Sequence, residues 1–180
     1  MKFKIFRFKK VKSTNRTAIR IIKKLNLDHG MIISETQTNG KGQYGKKWIS
    51  YKGNLFVSFF YKIDYVNISI KKITKINCLL VKKLLSFYYK GKIVIKKPND
   101  LFIEKKKISG ILQETLNKFK KKYLIIGIGI NLIKNPNIKN YPTTNLSEFI
   151  DNKISKKGVE NKLKKIFELN LDTLNKSRTQ

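Results

Sequence analysis

Residues 123–132 read YLIIGIGINL, and this stretch decides how the chain folds. Its isoleucines favour a strand, and a strand points alternate side chains to opposite faces of a sheet. Three isoleucines therefore share a face that packs against a core, whereas Gly127, Gly129 and Asn131 share a face that is almost bare. Glycines inside a strand are typical of a place that a ligand or another backbone approaches closely. Two glycines that relieve crowding against a helix are the alternative.

The segments around this strand alternate between helical and strand-like patterns. Apolar residues recur at helical spacing after the N-cap side chains of Ser13-Thr14-Asn15 and predict a helix that ends near Asn26. A second helix is predicted over residues 70–87. The apolar residues of a third are Val159, Leu163, Ile166, Phe167 and Leu174. Further strands are predicted over residues 2–8, 31–36, 54–61, 93–97, 101–104 and 108–115.

The order of these elements predicts the fold class. Consecutive strands joined by short turns favour antiparallel pairing, and helices must cover the apolar faces that such a sheet exposes. We therefore expect an α/β or α+β fold with a mixed, largely antiparallel sheet flanked by helices. Because no repeat and no Pro- or Ser-rich linker divides the chain, residues 1–180 are expected to form a single domain.

Cysteine and histidine content excludes several classes of protein. The only cysteine, Cys78, cannot form an intramolecular disulfide, and with the only histidine, His29, it cannot build a four-ligand zinc site. Spacing identifies no serine or cysteine partner for His29, so a hydrolase triad is not supported. No apolar run reaches the ~18 residues of a membrane helix and no signal-peptide pattern is present. We expect a cytoplasmic protein without a membrane partner.

The net charge of +30 has two explanations. A strongly basic chain is typical of a nucleic-acid-binding domain, and aromatic strands that could stack bases keep that alternative open. However, the chain has 37 lysines and only 4 arginines, and it is also rich in isoleucine and asparagine. These three residues have A/T-rich codons, whereas a phosphate-reading surface is expected to use arginine more often. Drift of codon composition therefore explains the charge better, and we expect no specific DNA binding.

A glycine- and lysine-rich segment, Gly40-Lys41-Gly42-Gln43-Tyr44-Gly45-Lys46-Lys47-Trp48, partly matches two phosphate-binding motifs. It fits GxGxxG and the first seven positions of a P-loop. However, both motifs must open a helix, whereas this segment leads into the strand predicted over residues 54–61, and Lys47 stands where the P-loop needs Ser or Thr. What remains is a loop whose backbone N–H groups and lysines suit an anion such as phosphate. A mobile surface loop is the alternative.

Two shorter segments carry no functional signal by themselves. The segment Lys96-Lys97-Pro98-Asn99-Asp100 reads as a tight turn, because proline restricts the backbone and Asx side chains bond locally. Lys107 begins the predicted strand Lys107-Ile108-Ser109-Gly110-Ile111-Leu112, whose small residues leave room beside the sheet. Its position alone does not distinguish it from the other lysines.

Taken in order, five of these segments resemble the catalytic domain of biotin-protein ligases. That family carries an early STN, a GRGRxGRxW loop, a KWPND turn, a KxxGIL strand and a GIGxN strand. The corresponding segments here begin at Ser13, Gly40, Lys96, Lys107 and Gly127. Each motif is weak alone, but five in the same order are specific. The resemblance covers about residues 12–132.

The resemblance implies a two-step reaction with ATP and biotin as substrates. The biotin carboxylate attacks the α-phosphate of ATP to give biotinyl-5′-adenylate, which then acylates a lysine of a biotin carboxyl carrier protein. The family's usual acceptor is a subunit of acetyl-CoA carboxylase. Attack of one anion on another needs preorganised positive charge, and the family pattern places Lys107 in this catalytic role. Mg²⁺ is expected as well, with its ligands left open.

The resemblance also implies the binding residues. The ureido ring of biotin cannot be buried unpaired, and a lid over the adenylate would exclude water from a reactive anhydride. The implied biotin-binding residues are Ser13, Thr14, Asn15, Gln37, Lys41, Gly42, Gln43, Lys107, Gly110, Gly127 and Gly129. The implied nucleotide-binding residues are Gly40, Lys41, Gly42, Gln43, Trp48, Asn99, Asp100 and Asn131.

The chain departs from the family pattern at three points. Gln43 replaces a loop arginine, which should weaken the grip on the adenylate, and Lys97 replaces the tryptophan of the turn. The sequence also leaves no room for the N-terminal helix-turn-helix or the small C-terminal β-domain of many relatives, so we expect no repressor role. A lipoate ligase and a degenerate, inactive relative stay open as alternatives, although the usual glycine-rich, histidine-containing lipoate ligase signature is absent.

Overall fold

The computed structural model describes residues 2–63 and 69–176, with side chains as far as residue 172, so the side chain of Leu174 lies outside the described residues. The helices are α1 (Thr14–Leu25), α2 (Ile70–Leu85) and α3 (Lys156–Lys176). The strands are β1 (Ile5–Val11), β2 (His29–Gln37), β3 (Gly40–Lys41), β4 (Lys47–Trp48), β5 (Leu55–Lys62), β6 (Ile93–Lys96), β7 (Asp100–Ile103), β8 (Lys106–Lys118) and β9 (Lys121–Ile130). Within this part of the chain, no helix is both long and apolar enough to cross a membrane.

Seven strands form one sheet in the order β1-β2-β5-β9-β8-β7-β6. Strands β1 and β2, which helix α1 connects along the chain, pair in parallel. All other neighbouring strands of this sheet pair antiparallel. Strands β3 and β4 form a separate two-stranded ribbon. The predicted mixed, largely antiparallel sheet flanked by helices is confirmed.

The side chains of residues 123–132 alternate between two cores, one on each face of the sheet. Ile126, Ile128 and Ile130 are buried in a large core with helices α2 and α3. Tyr123 and Ile125 point to the opposite face, into a smaller core beneath α1. Strand β9 therefore has helices on both sides at its beginning, and its glycine-bearing end lies beyond the smaller core.

Helix α1 covers only one end of its face of the sheet. It packs Ala18 and Ile22 against Ile32 and Phe60, and it ends at Asn26, which adopts a left-handed backbone conformation that is common at helix C-termini. A helix of 12 residues is about 18 Å long, shorter than the sheet is wide. The rest of this face stays open for a cleft.

Several boundaries differ from the sequence prediction. The first strand runs over Ile5–Val11 instead of residues 2–8, and it continues past Phe8 because Lys10 pairs with Thr36 and Val11 with Gln37 on β2. Strand β8 extends to Lys118 because its pairing with β9 continues from Ser109 to Lys118. The glycine-rich segment contains the ribbon β3–β4. Local propensity identified these segments, and pairing set their ends.

Replacing Ile126 by alanine tests the large core. Its side chain is fully buried, so Ile126→Ala should lower the free energy of unfolding by about 2–5 kcal/mol, through lost burial and the cavity left behind. Val94→Ala on edge strand β6 is the control, and it should cost about 0.5 kcal/mol or less because Val94 is exposed. Urea midpoints at constant slope measure both changes. Equal losses would contradict this assignment of the core.

Candidate active site

A cleft of about 690 Å³ lies on the open part of the α1 face. This volume suits a drug-sized organic ligand. The cleft collects almost all of the residues implied by the motifs. Those that line it are Ser13, Thr14, Asn15, Gln37, Lys41, Gly42, Gln43, Trp48, Asn99, Asp100, Lys107, Gly110, Gly127, Gly129 and Asn131.

Gly40 is the exception, because it does not line the cleft. It is buried where the ribbon begins, and a Cβ there would lie 2.5 Å from the Trp48 carbonyl oxygen. The absence of a side chain lets the two strands of the ribbon approach each other. Gly40 therefore has a structural role in the ribbon, and its place in the expected nucleotide-binding set stays a prediction.

The glycines on β8 and β9 make room for other side chains. A Cβ on Gly129 would lie 2.4 Å from the Trp48 indole, and one on Gly110 would lie 2.8 Å from the same ring. The indole thus lies across both glycines. A Cβ on Gly127 would lie 2.4 Å from Asn15 Oδ1 on helix α1. Crowding against a helix therefore explains Gly127, whereas Gly129 and Gly110 admit a cleft side chain.

A β-bulge turns Lys107 into the cleft. Gly110 pairs with Asp100, but the register then shifts and Lys107 pairs with Phe102. Strict alternation would have put Ile108 on the cleft face with Gly110, and Lys107 on the core face. The extra residue in the bulge reverses this, so that Ile108 is buried and Lys107 lies beside Gly110.

Lys107 ends in a cluster of charge and aromatic rings. Its Nζ lies 2.7 Å from Asp100 Oδ2, which also accepts a hydrogen bond of 2.8 Å from the Tyr141 hydroxyl. The Nζ also lies 5.5 Å from the centre of the Trp48 ring and 5.4 Å from that of Tyr141. Both charged side chains are mostly buried. These contacts hold the ammonium group in one place at the wall of the cleft.

The start of α1 is held by polar contacts with β2. The backbone N–H of Thr14 and its hydroxyl both donate to Gln37 Oε1, and Gln37 Nε2 donates to the Ser50 hydroxyl. The side chain of Ser13, the N-cap residue, makes no capping hydrogen bond and lines the cleft. This corner therefore presents hydroxyl and amide groups to a ligand.

Three asparagines implied by the motifs have structural partners. Asn15 Nδ2 donates to Glu114 Oε2 and to the Leu112 carbonyl, and its Oδ1 accepts from the Ser58 hydroxyl. The other two bind backbone carbonyls, Asn99 that of Ile111 and Asn131 that of Thr144. Their amide groups shape the walls of the cleft, which is a role that the motifs alone did not indicate.

Two buried polar atoms in the cleft lack a hydrogen-bond partner among the described residues. One is the donor Nε1 of Trp48, and the other is the acceptor Oδ1 of Asp100. Leaving a buried polar group unpaired costs about 1–3 kcal/mol. A ligand that offers an acceptor to the indole or a positive group to the carboxylate would recover this energy.

The ribbon β3–β4 brings positive charge to the mouth of the cleft. Lys41 and Lys47 are directly opposite each other across the ribbon, and Lys46 lies in the connecting turn. Like charges opposite each other destabilise a strand pair unless an anion lies between them. The arrangement suits a phosphate-bearing ligand.

Sequence reasoning missed one wall of the cleft. Residues 133–143 contribute Ile138, Lys139 and Tyr141 to the lining. This segment is held at the start of β8, because Lys107 N donates to the Pro142 carbonyl and Thr144 N donates to the Lys107 carbonyl. No periodicity or motif marks these residues, since the segment is irregular and its contacts are with distant strands.

A family model for the biotin/lipoate A/B protein ligase family matches residues 7–131. This chain belongs to that family. The match contains every motif on which the resemblance rested, so membership of the ligase family is confirmed together with the fold.

Two curated members of the family show how much of a relative the chain spans. The bifunctional ligase/repressor BirA of Bacillus subtilis is 29% identical over 155 residues, which cover 82% of this chain and 47% of that protein. Its counterpart in Escherichia coli is 30% identical over 102 residues, which cover 56% of this chain and 32% of that protein. The chain therefore spans one third to one half of the length of these relatives.

Solved structures of the ligase family share the fold. A biotin protein ligase from Aquifex aeolicus in complex with biotin and ATP superposes with a TM-score of 0.78 at 28% identity, over 94% of this chain and 70% of that one. A lipoate protein ligase homologue from T. acidophilum with bound lipoic acid has a TM-score of 0.67 at 14% identity, over 96% and 87%. The second likeness shows the fold alone.

A methyl group on Gly129 tests how closely Trp48 approaches the sheet. Gly129→Ala should displace the indole, because the new Cβ would overlap the ring, and the emission of the chain's single tryptophan should then shift to the red. Gly42→Ala is the control, since its Cβ would meet nothing nearer than 3.4 Å. Fluorescence spectra of the folded proteins measure both. Unchanged emission in Gly129→Ala would exclude the close approach.

Proposed function

We propose that this protein is an ATP-dependent biotin-protein ligase, with the cytoplasm as its compartment. In the first step, the biotin carboxylate attacks the α-phosphate of ATP, pyrophosphate leaves and biotinyl-5′-adenylate forms. In the second, the amine of a lysine on a biotin carboxyl carrier protein attacks the acyl carbon and AMP leaves. The observation that carries the proposal is the position of Lys107 beside Gly110, between the Trp48 indole of the ribbon and Asp100 at the start of β7.

The biotin part of the proposal rests on the polarity of the cleft. Its α1 corner offers the hydroxyl of Ser13 and the polar groups of Thr14 and Gln37, which suit the donors and acceptors of a ureido ring. The Trp48 indole, which lies on Gly110 and Gly129, offers apolar surface for an aliphatic tail. A biotin that lies along this line would direct its carboxylate towards Lys107.

The nucleotide part rests on charge. The lysines that line the cleft in the described part of the chain are Lys41, Lys46, Lys47, Lys96, Lys97, Lys107 and Lys139, and the only carboxylate among the lining residues is that of Asp100. This excess of positive charge attracts a triphosphate and offsets its repulsion of the biotin carboxylate. Lys107 then stabilises the charge that develops on the phosphate and later on the departing AMP.

The residues present fit a magnesium ion that accompanies ATP. Mg²⁺ is usually held by one or two carboxylates, with substrate phosphates and water as the other ligands. Asp100 supplies one carboxylate, whose buried Oδ1 has no partner among the described residues. Mg²⁺ bound there would neutralise phosphate charge. The described residues contain no cluster of three or more His, Cys, Asp or Glu side chains that could hold a metal without substrate.

Incubation with ATP, Mg²⁺, biotin and a carrier domain, followed by mass measurement, tests the proposal. The acceptor should gain the mass of one biotinyl group, and Lys107→Ala should abolish this gain because its ammonium is the cation placed at the reacting phosphate. The neighbouring Lys106→Ala is the matched control, since Lys106 is exposed and lies outside the cleft lining. Labelling by Lys107→Ala at the wild-type rate would refute the role of Lys107.

The same incubation with lipoate in place of biotin distinguishes the two activities of the family. The T. acidophilum structure shows that this fold also accommodates lipoic acid. If lipoate were transferred and biotin were not, the protein would be a lipoate ligase. If neither were transferred to any carrier domain tested, the degenerate relative would be the correct interpretation.

The glutamine at position 43 predicts leakage of the activated intermediate. Gln43 lines the cleft where the family has an arginine, and a neutral amide binds phosphate more weakly than a guanidinium group. Without an acceptor, the wild-type protein should release biotinyl-5′-adenylate, and Gln43→Arg should reduce the release about tenfold, as expected for one charge-assisted hydrogen bond. Single-turnover reactions with separation of free and bound adenylate measure it. Release that is undetectable, and unchanged by the substitution, would contradict the hypothesis.

A further inference from the structure

Tyr141 lies outside every motif, and its side chain is linked to Lys107 through Asp100. Its hydroxyl and the Lys107 ammonium group meet on the same oxygen of Asp100, Oδ2, at 2.8 and 2.7 Å. The backbone of residues 142–144 is bonded to Lys107 itself on both sides. Tyr141 is therefore attached to the strand that carries Lys107.

The Tyr141 hydroxyl acts as a fixed hydrogen-bond donor. It donates a hydrogen bond of 2.8 Å to Asp100 Oδ2, the same oxygen that Lys107 Nζ contacts at 2.7 Å. A carboxylate that accepts two donors on one oxygen cannot rotate without losing one of them. Tyr141 thus restrains the orientation of Asp100.

The Lys107 ammonium group is confined by what surrounds it. Lys107 Nζ lies 5.5 Å from the centre of the Trp48 ring and 5.4 Å from the centre of the Tyr141 ring. The Lys96 ammonium group lies 5.8 Å from the Tyr141 ring, so a second cation stands near this ring. The salt bridge to Asp100 Oδ2 therefore determines where Lys107 Nζ lies between the Trp48 and Tyr141 rings.

We propose that Tyr141 is a positioning residue, whose hydroxyl orients Asp100 so that the Lys107 ammonium group is held where the reacting phosphate binds. The inference rests on the proposed function, since it assigns Tyr141 a part in the first step of that reaction. It adds a residue from the irregular segment that follows β9 to a site otherwise built from motifs.

Tyr141→Phe removes the hydroxyl and keeps the ring. In biotin-dependent exchange of pyrophosphate into ATP, kcat should fall about tenfold, as for loss of one hydrogen bond to a charged group, while KM for biotin and for ATP should change less than about twofold. Tyr89→Phe is the matched control. Tyr89 packs against Phe149 with a centroid distance of 5.1 Å beside the large core, as Tyr141 packs against Phe102 at 6.1 Å in the cleft wall.

Emission from Trp48 reports the position of Lys107 without substrate. The chain has a single tryptophan, and the Lys107 ammonium group lies over its ring. The emission spectrum of Tyr141→Phe should shift towards that of Lys107→Met, in which the cation is absent, whereas Tyr89→Phe should keep the wild-type spectrum. Melting temperatures of all variants show whether each is folded, and Tyr141→Ser provides a second variant if the phenylalanine form is not.

The outcomes separate the two proposals. If the wild-type protein shows no biotin-dependent exchange, the proposed function fails and the role of Tyr141 fails with it. If the wild type is active but Tyr141→Phe retains kcat, raises only KM, or slows without a shift in Trp48 emission, the role of Tyr141 alone is overturned. Lower kcat together with the shifted emission supports it.

Discussion

The bare face of β8 and β9 is the constraint on which the rest of the structure depends. Because Gly110 and Gly129 carry no side chain, the Trp48 indole can lie directly on the sheet, and the ribbon that carries Trp48 is thereby drawn over the cleft. Any side chain at Gly129 would overlap the indole. Glycines inside a strand weaken it, and the isoleucines on the opposite face of β9 offset that loss by packing against α2 and α3.

The lysines that line the cleft and the lysines elsewhere in the chain have different explanations. Over the whole sequence, we attribute the abundance of lysine to codon composition. In the cleft, lysines from the ribbon, the turn before β7, the start of β8 and the segment after β9 converge around the single carboxylate of Asp100. That carboxylate binds Lys107 and leaves its other oxygen unpaired. A polyanion with a cation would satisfy both kinds of group.

Most of the fold and much of the site could be read from local patterns. Period-two and helical spacing identified the three helices and the seven strands of the large sheet, because burial of one face imposes these periods. Five motifs in order identified many of the residues that line the cleft, but not the wall formed by residues 133–143. The ends of β1 and β8 could not be predicted, since they depend on how far a partner strand continues.

By itself, the sequence determined which face of β9 is bare, which segments form helices and which segments carry the candidate site residues, because each of these follows from patterns that are local in the chain. Only the tertiary structure decided where Lys107 points and what holds it. Its direction follows from a bulge against β7, and its contact with Tyr141 joins residues 34 positions apart through Asp100. Such contacts depend on strand register and loop packing, which leave no period or motif in the sequence.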